Sequence, residues 1–487
     1  MEWSAIAGQI AEMVPLERFI PEEARRWSPL VRDSMRFIFS HLSRERLAEK
    51  LAEQAALPIS TSVEARLIRL VSKMPGLEKL GQVLARNPRL PAGLRTALTQ
   101  LENGMRDVAP EEIRAIVLGQ LGDLLDEYQV KMEDSICSEA SVSAVVRFTW
   151  REGARERERG VFKVLKPYVP ACFAEDLRLL EKLGQFLAAP ERRYEVAVRD
   201  VTDMLTEVRM LLERELDFTR EQATLTDAEE AYRASIGIRV PRVIRALSTP
   251  TITAMTEERG VKVTEAFRSS PLRRSRIAGQ LIEALIAVPL FSRAPDSVFH
   301  ADPHAGNLLY DEPNRELVVL DWALAERLPL ELRRRIVMLV LMTVVGNRES
   351  VVEAVAALSA GTRGKRRRMA LIRRVVNRFF EELPPGYSPG TLDAMRLLDT
   401  IALEGVRFPP ALFLFRKSIF TLDGVLYDVA GPDVRIDQVL ARDYLTRWIS
   451  SFGLFRAPLE AADVASVEWS AVRNEAERLW TKLRGAG

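Results

Sequence analysis

The pattern of apolar and polar positions changes twice along the chain. Up to about residue 130, apolar residues recur at intervals of three and four, as at Leu47, Leu51 and Ala55 and again at Ile113, Ile116, Val117 and Leu121. That is the period of amphipathic helices. Pro58, Pro75, Pro88, Pro91 and Pro110 divide the stretch into separate helices. Then Ser141–Trp150 (SVSAVVRFTW) and Gly160–Leu165 (GVFKVL) turn rich in β-branched and aromatic residues, with the polar REGARERER between them. Two strands joined by a solvated hairpin loop are expected. A long helical stretch follows over roughly 172–230, and strand-like pieces return at Arg239–Ile244 and Pro250–Met255. From about 262 helix predominates, interrupted by Asn307–Tyr310 and Leu317–Leu320, each short enough for a strand. The longest apolar run, near Ile336–Val345, reads as a buried helix. It is well short of the roughly 18 residues that a bilayer span needs.

This layout is α+β. A helical extension over 1–130 precedes a small β-containing lobe over 131–258 and a larger helical lobe over 259–487. A bilobal protein-kinase-like fold has this order, and 487 residues exceed one ordinary core. Composition changes the picture little: 47% apolar and 28% charged residues describe a globular chain. A net charge of +2 gives no reason to expect nucleic acid as a partner. The two cysteines, Cys137 and Cys172, form no CxxC motif and fit a reducing compartment. The start, MEWSAIAGQI, lacks the basic region of a secretory signal. A cytoplasmic location is expected, with peripheral membrane contact left open. The basic run RGKRRRMALIRR (363–374) could meet anionic headgroups or be a solvated helix face balanced by acids such as Glu381 and Glu382, and the second reading is preferred.

The candidate chemistry centres on HADPHAGN, residues 300–307, and on Asp321 behind the apolar Leu317–Leu320. Phosphoryl transfer needs a carboxylate near the acceptor oxygen and hard oxygen ligands for magnesium, held on one scaffold. In kinase catalytic loops an aspartate addresses the acceptor hydroxyl and an asparagine five positions later holds metal. A second aspartate, opening the DFG triplet, holds the metal's other face. Asp302, Asn307 and Asp321 fit those roles in order. His300 and His304 have the spacing of zinc ligands, but Pro303 breaks the helix such a site needs, and position 301 is alanine. A plain polar turn is the other rival. Such a site also needs a lysine on a small-lobe strand. Lys163 sits in the apolar VFKVL, where its ammonium is costly unless anions meet it; Lys166 is second choice, at the strand exit. Acidic partners are offered by Glu215, Asp217 and Glu221, the last two sharing a helix side. Nucleotide-base contacts are expected around Met255–Glu258, where TITAM leads into TEERG.

These residues resemble the UbiB (AarF) family of atypical protein-kinase-like proteins over roughly residues 76–430. The family's KxGQ motif corresponds to KLGQ (Lys79–Gln82), its VAVK-type strand to VFKVLKP, its ExD motif to ELDFTREQA with Glu215 and Asp217, and its HxDPHPGN loop to HADPHAGN. The DFG equivalent is Asp321-Trp322-Ala323. The resemblance implies a helical extension laid over the active site, with Lys79 and Gln82 pointing into the space where a protein substrate would sit. It implies Glu221 as partner of Lys163, and Glu215 and Asp217 meeting the extension. It also implies ATP and magnesium as cofactors, and ATP hydrolysis in support of ubiquinone and related isoprenoid-lipid pathways, often near membranes.

The chain departs from that pattern. The family's alanine-rich phosphate-covering loop reads SEAS here, giving Ser138, Ala140 and Ser141 as ATP contacts. Glu139 among them would repel nucleotide, so it is expected to point outward or to alter nucleotide preference. DFG has become DWA, which puts the usual glycine hinge in doubt. The aspartate–tryptophan pair also occurs in small-molecule phosphotransferases of the aminoglycoside and choline kinase type, which would give Lys79 and Gln82 no role. A nucleotide-binding pseudokinase that scaffolds a lipid-biosynthetic complex is the third reading.

Overall fold

A computed structural model describes residues 20–470, apart from 21, 86–106, 190–193, 195–197, 269, 360–364, 433 and 452–456. In chain order the strands are β1 (Lys131–Glu139), β2 (Ser143–Trp150), β3 (Glu158–Leu165), β4 (Ile238–Arg239), β5 (Ile252–Thr256), β6 (Val261–Lys262), β7 (Asp296–Phe299), β8 (Leu308–Asp311), β9 (Glu316–Val319) and β10 (Glu326–Pro329). The first helices are α1 (Ser28–His41), α2 (Arg44–Ala55), α3 (Val63–Val71), α4 (Pro75–Ala85) and α5 (Pro110–Leu121). They are followed by α6 (Val169–Leu187), α7 (Val198–Glu215), α8 (Phe218–Tyr232), α9 (Pro271–Ile282) and α10 (Leu330–Val345). The last are α11 (Arg348–Leu358), α12 (Lys365–Glu381), α13 (Thr391–Leu403), α14 (Pro410–Ala430) and α15 (Ile436–Ser450). The chain forms two compact units, Met1–Gln222 with Val243–Glu257, and Ala223–Arg242 with Glu258–Gly487.

The first unit holds a four-stranded sheet in the order β1-β2-β3-β5. The β2–β3 hairpin runs in unbroken antiparallel register from Ser143 opposite Leu165 to Trp150 opposite Glu158, as the sequence predicts. One face is packed by Ala144, Val146, Phe148, Phe162, Val164, Ile252 and Ala254 together with Ile113, Val117 and Leu121 of α5. Phe148 and Phe162 stack at 3.9 Å, and Gly160 lets them do so: a Cβ there would lie 2.6 Å from the Phe148 ring. A second core joins α1, α6 and α7 through residues such as Phe39, Leu183 and Leu212. α5 starts at Pro110, which needs no partner for its missing N–H, and the Glu112 carboxylate accepts the Ala109 N–H at 3.0 Å.

In the second unit β4, β9, β8 and β6 form a small sheet, with β4 parallel to β9 and β8–β9 an antiparallel hairpin. β7 pairs with β10. Phe299 packs edge-on to Phe415 of α14 at 5.2 Å. Arg333 of α10, fully buried, donates to the carbonyls of Ser292 (2.6 Å), Ala294 and Pro295 (3.3 Å) and so fixes the approach to β7. Ile336–Val345 is helical as expected, within α10. Among the described residues no helix is long and apolar enough to cross a membrane. In the basic run, 363 and 364 lie outside the described residues; Arg373 pairs with Glu349, and Arg374 with Glu404 at 3.0 Å, in place of Glu381 and Glu382.

Several expected elements differ. β1 was not foreseen: KMEDSICSE is an edge strand with mostly exposed or half-buried side chains, so no apolar alternation marks it. The stretch over 172–230 is three helices, α6 to α8. The strand expected over Arg239–Ile244 is only Ile238–Arg239, followed by an isolated bridge from Val243 to Met255. Pro241 lies between and has no N–H to give a ladder.

Candidate functional site

In the first unit, strand alternation puts Lys163 on the face opposite Phe162 and Val164. Its ammonium donates to Glu221 Oε1 at 2.6 Å, and the two side chains are only 12% and 3% exposed. The Phe218 ring lies 5.7 Å from the Lys163 nitrogen. A buried lysine is thus met by the carboxylate one turn into α8, the pairing the resemblance implied. Asp217 stands directly before α8. It is exposed, and its carboxylate accepts the Arg220 N–H at 2.9 Å. It caps α8 and has no described contact with the extension.

Glu215 closes α7. It accepts from the ammonium of Lys79 on α4 and from the Ser141 hydroxyl at 3.2 Å. One carboxylate therefore gathers the KLGQ lysine and the turn between β1 and β2. Gln82 is on the same helix as Lys79, but its side chain lies outside the described residues. Ser138 and Glu139 are not in a loop: they end β1, opposite Val145 and Ala144. The Ala140 N–H closes the turn on the Ser143 carbonyl at 2.8 Å.

Glu139 neither points into solvent nor carries an unmet charge. Its carboxylate is 3.3 Å from the ammonium of Lys166 and accepts the Asp107 N–H at 3.2 Å. Lys166, expected at a strand exit, is 1% exposed and donates to Asp107 Oδ1 at 2.7 Å. The Tyr168 hydroxyl and the Lys73 N–H both donate to Asp107 Oδ2, at 2.8 and 3.2 Å. Against this group sits Glu78 of α4, 3% exposed. Burial, with the charge of Asp107, pushes its carboxyl up to about 8, and Lys166 only partly opposes this. Sequence reasoning missed this cluster. Its one signal was a lysine at the end of an apolar strand, directly before Pro167.

Met255 lies in β5 opposite Val161, and the chain passes from the first unit to the second between Glu257 and Glu258. Glu257 receives Arg147 at 2.7 Å and Arg159, while Glu258 pairs with Arg239 at 2.6 Å.

In the second unit the 300–307 loop is pinned from within. His300 is 1% exposed; its Nδ1 accepts the Asp302 N–H at 3.3 Å and its Nε2 donates to the Leu320 carbonyl at 2.9 Å. The Ser418 hydroxyl of α14 donates to the His300 carbonyl at 2.8 Å. Both ring nitrogens are engaged, which removes His300 as a zinc ligand. Among the described residues no three His, Cys, Asp or Glu side chains gather as a metal cage. Asn307 Nδ2 donates to the Asp302 carbonyl at 3.3 Å, turning Oδ1 the other way. The Asn307 carbonyl accepts the Leu320 N–H at 2.8 Å, one step beyond the Leu308–Val319 pair. Asn307 and Asp321 consequently flank the same end of the β8–β9 hairpin, with Asp302 bonded to Asn307.

Asp321 holds φ +52, a left-handed conformation uncommon without glycine. Its Oδ1 accepts the Ala323 N–H at 3.3 Å, and the buried Trp322 indole donates to the Val319 carbonyl at 3.1 Å. The turn is made at the aspartate itself.

The family model of the ABC1 atypical kinase-like domain matches residues 100–355. The Arabidopsis thaliana protein ACTIVITY OF BC1 COMPLEX KINASE 7, chloroplastic, is 24% identical over 376 residues, 75% of this chain and 52% of that protein. The probable protein kinase UbiB of Pseudomonas entomophila is 25% identical over 411 residues, covering 80% and 72%. A solved complex of Rv3197 with erythromycin from Mycobacterium tuberculosis covers 80% of this chain and 100% of that one, at 19% identity and a TM-score of 0.42. That score is too low to carry an argument. The chain spans about half the length of the Arabidopsis relative and of several others. With more than half of the sequence inside the family match and an α+β structure in two units, this chain belongs to the ABC1 atypical kinase-like domain family.

Proposed function

We propose that the chain binds Mg-ATP and acts as an atypical kinase-like ATPase. The observation that carries this reading is the end of the β8–β9 hairpin, where the Asn307 amide, turned by its bond to Asp302, flanks Asp321. Two hard oxygen donors and a loop carboxylate suit magnesium far better than a soft metal. Asn307 and Asp321 would hold the ion, and Asp302 would orient and deprotonate the acceptor, water or a hydroxyl. Magnesium, when bound, supplies charge neutralisation at the phosphates. Lys163, fixed in direction by Glu221, would grip the nucleotide phosphates. Ser138, Ala140 and Ser141 would cover them by backbone shape, since the Ala140 N–H and the Ser141 hydroxyl are already engaged. Backbone groups at Met255–Glu258 would meet the adenine.

The finer reading, support of isoprenoid or quinone lipid biosynthesis within a protein complex at a membrane surface, rests on the resemblance of KLGQ and ELDF to the UbiB family. The nearly buried Lys79–Glu215 pair supports it over a small-molecule phosphotransferase, for which Lys79 would be idle. The test is magnesium-dependent ATP turnover. Asp302→Asn and Asp321→Asn should each lose about 10²–10⁴-fold, and Lys79→Ala should change the rate as well. Indifference to Lys79→Ala would favour the small-molecule kinase, and nucleotide binding without turnover would favour a scaffold.

A further inference from the structure

The second unit carries a concavity that none of the candidate site residues lines. It has a volume of about 370 Å³ and opens between the first two turns of α9, the segment before it, and the turn of the β8–β9 hairpin. Three arginines line it: Arg273 and Arg276, one turn apart on α9, and Arg315 in the hairpin turn. Phe267 and Tyr310 supply aromatic surface, edge to face at 5.8 Å, and the Arg273 guanidinium lies 4.7 Å over the Phe267 ring. Glu312 is the lone acid of the lining, and it is committed: its carboxylate accepts the Phe267 N–H at 3.0 Å.

What singles out these arginines is the lack of counter-charge. The acids on either side of the turn, Asp311 and Glu316, both go to Arg239, at 3.1 and 2.5 Å. Among the described residues no carboxylate lies within ion-pair distance of Arg273, Arg276 or Arg315, whereas Arg239 and Arg268 each have one. Three guanidinium groups against one carboxylate leave two positive charges in excess. Two lining residues also hold left-handed backbone, Phe267 at φ +44 and Arg315 at φ +57, a conformation that side chains other than glycine adopt at a cost. The Arg315 carbonyl is held there by Gln280 of α9 at 3.4 Å. Tyr310 is buried; burial pushes its hydroxyl up, though Arg276 and Arg315 oppose it, so it stays a neutral donor.

We propose that this pocket binds a phosphate monoester dianion carried on a small apolar or aromatic group. The planar forks of arginine match phosphate oxygens two at a time. An excess of two positive charges suits a dianion better than a carboxylate. The volume falls at the small end of ligand sites, roughly 300–1,000 Å³, which leaves room for an organic group against the two rings. The phosphate is either that of a soluble metabolite or that of a lipid headgroup.

Calorimetric titration of the full chain at low ionic strength tests this, with phenyl phosphate and inorganic phosphate as probes. One equivalent of phenyl phosphate should bind, more tightly than inorganic phosphate. The affinity should fall at least tenfold in Arg276→Gln/Arg315→Asn, while the thermal midpoint and Mg-ATP turnover stay unchanged. Arg276→Gln alone, at an exposed helix position, gives the same ordering should the double variant fold poorly. Sedimentation with vesicles of phosphatidic acid in phosphatidylcholine identifies the source. Binding lost in the variant upholds the site with a headgroup as ligand, and no sedimentation beside phenyl phosphate binding upholds it with a soluble one. Absence of saturable binding by phenyl phosphate, or equal affinity in the variants, overturns the proposal.

Discussion

Replacing Lys166 with methionine isolates the energetics of the cluster under the β1–β2 turn. Lys166, Asp107 and Glu139 have side chains 1%, 0% and 7% exposed, and the ammonium is 2.7 and 3.3 Å from the two carboxylates. Lys166→Met keeps most of the volume and leaves two acids facing each other out of water. Breaking a buried pair in this way costs about 3–5 kcal/mol, mostly because a charge is stranded. For a unit of this size, that corresponds to a fall in Tm of roughly 6–20 °C. Urea titration followed through the buried Trp150 and scanning calorimetry would both read it. Adding Asp107→Asn and Glu139→Gln to Lys166→Met should return part of the loss, since the stranded charges go with the lysine. A loss below about 1 kcal/mol, or penalties that simply add across the combined variant, would refute the reasoning.

Three further outcomes follow from the same geometry. The Glu78 carboxyl, raised in the folded state to about 8 from an ordinary value near 4.5, holds its proton more tightly folded than unfolded. The stability it contributes is present in full below about pH 4.5 and is lost as pH rises to about 8; Glu78→Gln should remove that decline, and urea midpoints at pH 6 and 9 that shift equally in both proteins would count against it. Gly160→Ala places a Cβ 2.6 Å from the Phe148 ring and 3.0 Å from the Met255 carbonyl, so a loss of about 1–3 kcal/mol is expected, read by thermal shift and contradicted by an unchanged midpoint. Lys163→Met strands Glu221, 3% exposed. It should abolish Mg-ATP turnover and also cost stability, whereas Asp321→Asn, at an exposed position, should lower turnover with little change in Tm.

Legibility in the sequence followed how locally each feature is encoded. The β2–β3 hairpin was plain, because both strands bury one face and alternate accordingly. β1 was invisible because an exposed edge strand needs no apolar period. Lys163 announced itself as a charge inside an apolar strand; its partner stayed open among Glu215, Asp217 and Glu221 until the resemblance singled out Glu221. Asp302, Asn307 and Asp321 share a stretch of 20 residues, short enough for spacing alone to suggest their roles. Nothing local joins Lys166 to Asp107, 59 positions away, or either to Glu78; only packing reveals that set. The capping role of Asp217 was local and yet unread: a carboxylate just before a helix can accept the N–H of its first turn. Nothing in the sequence ties Arg315 to Arg273 and Arg276; the β8–β9 hairpin brings it beside them.

The order of strands in the first unit bears on how the chain is made. β3 is completed at Leu165, yet its outer neighbour β5 does not end until Thr256, after helices largely of the same unit and the segment Ala223–Arg242 of the other. At roughly 5–20 residues per second, synthesis leaves the free edge of β3 bare for on the order of ten seconds. An unpaired apolar edge of that kind invites association with other nascent chains, so this interval, ahead of any later event, is where a ribosome-bound chaperone would be most useful to the molecule.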